Sequence, residues 1–546
     1  MSDRFQPIRM EQLASWVFAE LKRNDAIFGI PRRLFFVPGK NDPFGVSVYG
    51  HRIETPFGVA AGPHSQMAQN IIAAWLCGAR FIELKTVQTL DEIEVSKPCI
   101  DMLDEGYNCE WSQELKVLQS FDEYLRAWVL IHALHRELGF AGEAPGVLFN
   151  LSVGYNMEGL LKPNMQEYLR LVRDAGPKLQ EYADIVARHS PAAKGLAIPA
   201  CLSDNVTLST MHGCPPDEVE KISRYLIDDC GLHTSVKLNP TLVGPESLRR
   251  ILNQDLGFKD VTVPDLAFEH DLKYEAAVPM LKRLGQAAQK RGVHFGVKLS
   301  NTLEVQNHRP VFPKHEKMMY MSGRALHAVT VNLAAKLGSE FNGQLMTSFS
   351  GGADAFNAHR LLACGMKTVT VCSDLLKPGS YIRLAQYLEN TQAAMQACGA
   401  TDIPSFILKS AGAQNAGAGD PALANLLSYA QETLADPRLK KDAVDTDRTK
   451  TSRSLGPFDC IKAPCTDECP IDQKVPQYMN LVREGNFDAA IDLTRDDNPL
   501  AAILGRACNH ACESVCIRTH YDAPLAIREI KRFIMDEERQ PHYRQR

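Results

Sequence analysis

Residues 207–220, T-L-S-T-M-H-G-C-P-P-D-E-V-E, pass from a strand through a loop into a helix. Pro215 and Pro216 cannot extend a strand but suit the first turn of a helix. Asp217 and Glu218 put negative charge where a helix start favours it. Cys214 is thereby held at the carboxyl end of the strand. The same succession of apolar strand, polar or glycine exit and helix recurs along the chain. Strand candidates fall at 56–61, 81–87, 146–153, 205–209, 234–238, 265–268, 295–299, 345–350 and 368–372. Helical periodicity fills most of the gaps, at 66–77, 218–229, 274–290 and 323–337. Such alternation implies parallel strands with crossover helices. Eight or nine strand signals predict an α/β fold with a closed TIM (β/α)8 barrel rather than an open sheet, and chemistry in such a barrel sits at the strands' carboxyl ends.

Outward from the barrel, assigned to residues 51–398, the pattern changes. Residues 1–50 read as an adaptor with an amphipathic helix over 10–23, Leu13, Trp16, Val17 and Leu21 sharing a face. Residues 399–455 read as a helical and charged linker, ending in D-P-R-L-K-K-D-A-V-D-T-D-R-T-K-T-S-R-S at 436–454. Residues 456–546 form a small all-helical domain dense in cysteine. At 546 residues, 45% apolar and 23% charged, the chain predicts two or three globular domains. A net charge of −5 argues against an electrostatic nucleic-acid binder. No secretory pattern opens the chain and no run reaches the length that spans a bilayer, so the expected location is cytoplasmic with no membrane partner. Fifteen cysteines in that setting point to metal binding rather than disulfides. No G-x-G-x-x-G opens a helix; G-A-Q-N-A-G-A-G-D at 412–420 has the wrong spacing and no strand before it.

Six cysteines lie between 460 and 516, as C-x4-C-x3-C-P (Cys460, Cys465, Cys469) and C-x3-C-x3-C (Cys508, Cys512, Cys516). Thiolates at this spacing can converge on an iron–sulfur cluster. Zinc is the competing reading, although structural zinc usually takes cysteine pairs and two triplets do not divide that way. With G-R-A-C-N-H-A-C-E-S-V-C from Gly505, the region resembles the N-terminal iron–sulfur domain of the glutamate synthase small subunit and of dihydropyrimidine dehydrogenase. That resemblance implies two interleaved 4Fe–4S clusters. Cys460, Cys465 and Cys516 would serve one; Cys469, Cys508 and Cys512 would serve the other. Two positions depart from the pattern: Pro457 replaces a cysteine, and Lys531 stands where a Gln or Glu completes the second cluster. Asp459 and Glu529 are nearby substitutes.

The barrel resembles the dihydroorotate dehydrogenase family, above all the FMN domain of dihydropyrimidine dehydrogenase. The motifs are T-P-F-G-V-A-A-G-P at 55–63, E-L-K-T-V at 83–87, L-S-V-G-Y-N at 151–156, S-V-K-L-N-P at 235–240, G-V-K-L-S-N-T at 296–302, M-S-G-R-A-L at 321–326, S-G-G-A-D at 350–354 and V-C-S at 371–373. The resemblance implies FMN as cofactor. Gly351 and Gly352, with the amides of Cys372 and Ser373, would cradle its phosphate, where a plain turn is the ordinary reading of a glycine pair. Lys85 and Lys237 end apolar strands, where an ammonium is costly without an anion unless it reaches solvent at the rim. Ala61, Thr86 and Gly323 would line the flavin or simply pack. Asn156, Asn301 and Thr302 would face the substrate; an amide offers donor and acceptor together, which suits a cyclic ureide, pyrimidine or purine edge. Thr207 replaces an asparagine of the family. Cys214 takes the general-acid position and, with Lys85, forms the catalytic pair; by itself a lone cysteine reads as a packing residue. His212 would tune the thiol or pack the loop.

The order of barrel and cysteine-rich domain resembles the N-terminal half of YgfK-type proteins, labelled selenate reductase subunits, which continue into a FAD- and NAD(P)-binding portion. This sequence stops just after I-R-E-I-K-R-F-I, so the resemblance implies a partner flavoprotein that oxidises NAD(P)H and feeds the clusters. The expected activity is reduction or oxidation of a C=C or C=N bond in a cyclic N-heterocycle. The alternative is an electron-transfer subunit or scaffold of a larger reductase, with no substrate site of its own.

Overall fold

The computed structural model describes residues 5–39, 41–90, 100–108, 113–154, 156–209, 213–308, 314–411, 419–443, 463–520 and 523–538. Helix α1 (Met10–Asn24) buries Met10, Leu13, Ala14, Val17 and Phe18 and stops at Asp25, whose backbone is left-handed. Trp16 does not join that face: it is 45% exposed and packs edge-on against Phe28, because the buried stripe runs through positions 10, 13, 14, 17 and 18.

Eight parallel strands then close a barrel in sequential order: β1 (Phe57–Val59), β2 (Phe81–Glu83), β3 (Leu148–Val153), β4 (Asn205–Leu208), β5 (His233–Leu238), β6 (Phe295–Leu299), β7 (Met346–Phe349) and β8 (Thr368–Val371). Closure is made by β8 on β1, Val369 opposite Phe57. Every residue of β3 is buried, as expected of a parallel strand covered by helices. Gly58 is dictated by close approach: a Cβ there would stand 1.6 Å from the carbonyl oxygen of Phe81 on β2.

Among the helices, α2 (Ala68–Leu76) follows β1, α3 (Val117–Glu137) lies between β2 and β3, and α4 (Pro216–Arg224) follows the Cys214 loop. The ninth strand candidate, 265–268, is a correction. Asp265–His270 is a short helix, with Asp265 in its first turn, His270 in its last and Leu266 facing out. Its mixed polarity suits a rim helix and not a strand buried on both faces. Helices α5 (Tyr274–Arg291) and α6 (Arg324–Glu340) precede β6 and β7 in the outer layer. Within the stretch read as a linker, α7 (Pro421–Ala435) packs along α6, with Tyr429 and Ala430 buried. A strand at Met318–Met321 pairs with Ile100–Asp101, and Ser322 donates its N–H to Asp101 (3.0 Å), which fixes the turn at Ser322 and Gly323.

The chain divides into two compact units, residues 1–443 and 444–546. The second has its own small core of Val475, Tyr478, Ala490, Ile491, Ala501, Ile527, Ile534 and Met535. Its helices are α8 (Pro464–Asp467), α9 (Val475–Arg483), α10 (Phe487–Asp497), α11 (Ala501–Ala507), α12 (Ala511–Ser514) and α13 (Ile527–Glu537). No helix among the described residues is long and apolar enough to cross a membrane.

Candidate active site

A cleft opens at the carboxyl ends of the strands, with about 490 Å³ of empty space counting open solvent. Two lysines define it. Lys237 and Lys298 are register partners on β5 and β6, and both line the cleft. Lys298 is buried and forms an ion pair with Glu83 of β2. Glu83 also accepts hydrogen bonds from the Thr370 hydroxyl (3.0 Å) and the Ala61 N–H (3.2 Å). Burial pulls the Lys298 ammonium down to about 7, opposed by the neighbouring Cys372.

The turn that follows β7, next to β6, is glycine, and Gly351 donates its N–H to the Leu299 carbonyl at 3.3 Å. A Cβ on Gly351 would stand 2.3 Å from the Thr330 hydroxyl, and one on Gly352, whose φ is +65°, 2.4 Å from the Gly323 carbonyl. His327 holds this turn from behind. Its Nδ1 lies 3.0 Å from the Gly351 carbonyl and its Nε2 2.8 Å from the Tyr429 hydroxyl. A carbonyl only accepts, so Nδ1 carries the proton and Nε2 accepts from tyrosine; burial pulls the ring down to about 4 and keeps it neutral. Cys372 and Ser373 follow β8, the strand paired with β7. The Cys372 sulfur is 3.7 Å from His64 Nδ1, and the Ser373 hydroxyl 3.1 Å from that of Ser322.

Of the residues singled out from sequence, Ala61, Lys237, Asn301, Thr302, Gly323, Gly351, Gly352, Cys372 and Ser373 line this cleft. Lys85, Thr86, Asn156 and Cys214 are not among its lining residues. Asn301 donates to Asn239 (3.1 Å) and accepts from the Thr302 N–H (3.0 Å). Asn156 caps the short helix Met157–Leu160 by accepting from Gly159 N–H at 2.8 Å. Lys85 is buried at the exit of β2, its carbonyl accepting from the Tyr124 hydroxyl (3.0 Å), and the Thr86 hydroxyl meets that of Ser152 (2.7 Å). Cys214 is half-buried against the barrel core. His212 lies outside the described residues. The Thr207 hydroxyl is spent on Asn150 (2.7 Å), which in turn donates to Asn205 (2.7 Å) inside the barrel.

Sequence reasoning missed Glu83, Lys298, His64 and His327. A signal for Lys298 existed: S-V-K-L on β5 recurs as G-V-K-L on β6, so the two lysines are one motif used twice. Glu83 was visible as the acid inside an otherwise apolar F-I-E-L run.

The donor set fits an anionic, planar cofactor with a phosphate. Lys237 and Lys298 line the cleft, and next to them, after β7, is a turn whose glycines no side chain could replace without a clash.

In the second unit, α8 and α12 carry Cys465 and Cys512 and pack together. Burial, and then the thiols of Cys512, Cys465, Cys469 and Cys508, push the buried Tyr478 hydroxyl up. Burial, Glu513 and then Cys469, Cys508 and Cys465 push Cys512 up to about 11. Cys465, Cys469, Cys508 and Cys512 thus lie in the neighbourhood of one buried ring, a sulfur-rich donor set that suits an iron–sulfur cluster. Among the described residues no three His, Cys, Asp or Glu side chains are gathered as a single metal ion requires. Cys516 is buried next to Cys465, and Lys531 Nζ lies 3.9 Å from Cys508 Sγ. Cys460, Pro457 and Asp459 lie outside the described residues, and Glu529 pairs with Arg532 (2.7 Å).

Residues 28–416 match the family described as oxidoreductase YgfK, N-terminal TIM-barrel domain. Residues 441–543 match dihydropyrimidine dehydrogenase domain II, 4Fe-4S cluster. The YgfK protein of Escherichia coli (strain K12) is 39% identical over 98% of this chain, which covers 52% of that relative. The chain therefore spans about half the length of the curated relatives it matches across its whole extent. The NAD-dependent dihydropyrimidine dehydrogenase subunit PreT of the same organism is 34% identical over 15% of this chain and 20% of its own. Among solved structures, ligand-free dihydroorotate dehydrogenase from Eimeria tenella aligns with a TM-score of 0.45 and 15% identity, over 73% of this chain and 97% of that one.

Proposed function

The chain belongs to the oxidoreductase YgfK family, and from that premise we propose that its barrel is an FMN site that acts on a C=C or C=N bond of a cyclic N-heterocycle. The observation that carries this reading is the cleft itself, lined by Lys237 and Lys298 on the paired strands β5 and β6 and by the Gly351–Gly352 turn that follows β7. FMN, when bound, supplies the electron pair. Lys237 would hold its ring by charge, with Lys298 beside it already paired to Glu83, and the Gly351–Gly352 turn with the backbone of Cys372 and Ser373 would hold its phosphate. Asn301 and Thr302 present paired donors and acceptors to a ureide edge. Cys214 holds the proton for the ring carbon at its sulfur, since an ordinary thiol is mostly protonated at neutral pH. Electrons come from NAD(P)H through a partner flavoprotein and the 4Fe–4S clusters, in keeping with a relative named as a subunit of an NAD-dependent dehydrogenase.

A second reading, an electron relay without its own substrate site, is favoured by one observation: Cys214 and Asn156 do not line the cleft. One experiment separates the two. Anaerobically purified protein is expected to show flavin bands with an iron–sulfur shoulder and about four or eight iron atoms per chain. Cys214→Ala should then abolish turnover of pyrimidine- or purine-type substrates while leaving reduction of the flavin by dithionite unchanged. Undiminished turnover removes Cys214 from the chemistry, and a colourless wild-type protein overturns the whole reading.

A further inference from the structure

Helix α13 turns Lys531 inward. Ile527, Ile534 and Met535 on the same face are core residues, and Lys531 itself is 8% exposed. An ammonium so far from water needs a partner. No carboxylate oxygen among the described residues lies within 4.0 Å of it: Glu529 is taken by Arg532 (2.7 Å), Glu513 by His510 (3.0 Å), and Asp536 by Arg506. Its polar neighbour is instead the sulfur of Cys508, at 3.9 Å. A second cation addresses the same residue, Arg528 donating to the Cys508 carbonyl at 3.2 Å.

We infer that Lys531 is a tuning residue: its ammonium donates to the Cys508 thiolate when that sulfur serves as a cluster ligand, and it raises the reduction potential of the cluster that Cys508 holds. This rests on the second unit carrying a 4Fe–4S cluster. The physics is direct. Reduction adds negative charge that spreads onto the ligand sulfurs, and a fixed positive charge and an N–H···S contact there stabilise the reduced form more than the oxidised one. Lys531 therefore makes the Cys508 cluster the better electron acceptor within the unit, the place where an arriving electron rests. Because the charge does the work, a longer cation at the same position should do it too, and a neutral side chain of similar length should not.

The test is a redox titration of the full chain, followed by electron paramagnetic resonance, with iron counted in each sample. Lys531→Met is expected to keep the wild-type iron content and to weaken the electron affinity of one cluster about tenfold, a shift of about 59 mV to lower potential for a one-electron step. Lys531→Arg should stay at the wild-type value. An iron-replete Lys531→Met protein with an unshifted potential overturns the inference. So does a Lys531→Arg protein that behaves like Lys531→Met, or one that loses iron along with it, since charge would then not be what Lys531 provides. An iron-free wild type would instead overturn the cluster reading beneath it, and this inference with it.

Discussion

Lys298 and Glu83 are the two residues on which the barrel mouth turns, and neither can be removed alone. Taking away one partner of a buried ion pair leaves the other charge uncompensated, which costs about 3–5 kcal/mol. Lys298→Met should therefore lower the urea midpoint of the barrel unit sharply, and Lys298→Met with Glu83→Gln should recover most of the loss; equal effects of the single and double variants would show that the pair is not coupled. The same residues show what a sequence can and cannot display. Lys85 and Lys237 both stand out as lysines ending apolar strands, yet only Lys237 lines the cleft. Which way a strand-end side chain turns depends on the register of its neighbours, and register is fixed by the closed sheet rather than by the local run. Lys298 becomes significant only once β5 and β6 lie side by side with Lys237 opposite it. Cys214 and Asn156 show the same limit: their residue types and positions after a strand are legible, but the path of the loop beyond the strand is not.

At the scale of elements, the strands were easy to find because buried parallel strands are continuous apolar runs, and F-G-V, L-F-N-L-S-V and T-V-T-V stand out from their surroundings. Asp265–His270 was misread because three apolar residues flanked by acids do not distinguish a short helix from a strand end. Gly58 sets the spacing of β1 and β2. Gly58→Ala should prevent the two strands from pairing and yield protein without a cooperative thermal transition, whereas Gly244→Ala, with nothing within 4 Å, should keep one despite its strained φ of +101°. The helix-borne histidines give a pH dependence. Burial pulls His132, His327 and His359 down to about 4. Each takes a proton near 6.5 once unfolded but not in the folded chain, so the unfolded state binds more protons and stability falls as pH drops from about 6.5 to about 4. A fully buried ring contributes about 3 kcal/mol at most. Asp354, pushed up to about 6 by burial beside Asp374, has the opposite slope over part of that window. The clean comparison is wild type against His327→Gln: urea midpoints should converge as pH falls from 6.5 to 4.5, and parallel profiles would refute the assignment.

For the whole molecule, two units imply two stabilities. The second unit has only a small core of its own, so stripping iron with a chelator under oxidising conditions should raise hydrogen exchange across residues 463–538. Exchange in β1–β8 should stay as it was, and a barrel that loosened with the iron would argue for one cooperative unit. The division into a barrel and a cysteine-rich tail was legible in the sequence from the change in pattern and from the two cysteine triplets. Lys531 is the exception: its identity as a departure was plain, but only the packing of α13 brings it to Cys508.

The internal counter-ion at the barrel mouth bears on how this polypeptide matures. With Glu83 answering Lys298 from inside the sheet, the lysine does not wait for a bound anion before the strands can close. The sheet itself thus supplies the anion that its buried cation requires, and closure of the barrel does not depend on a ligand.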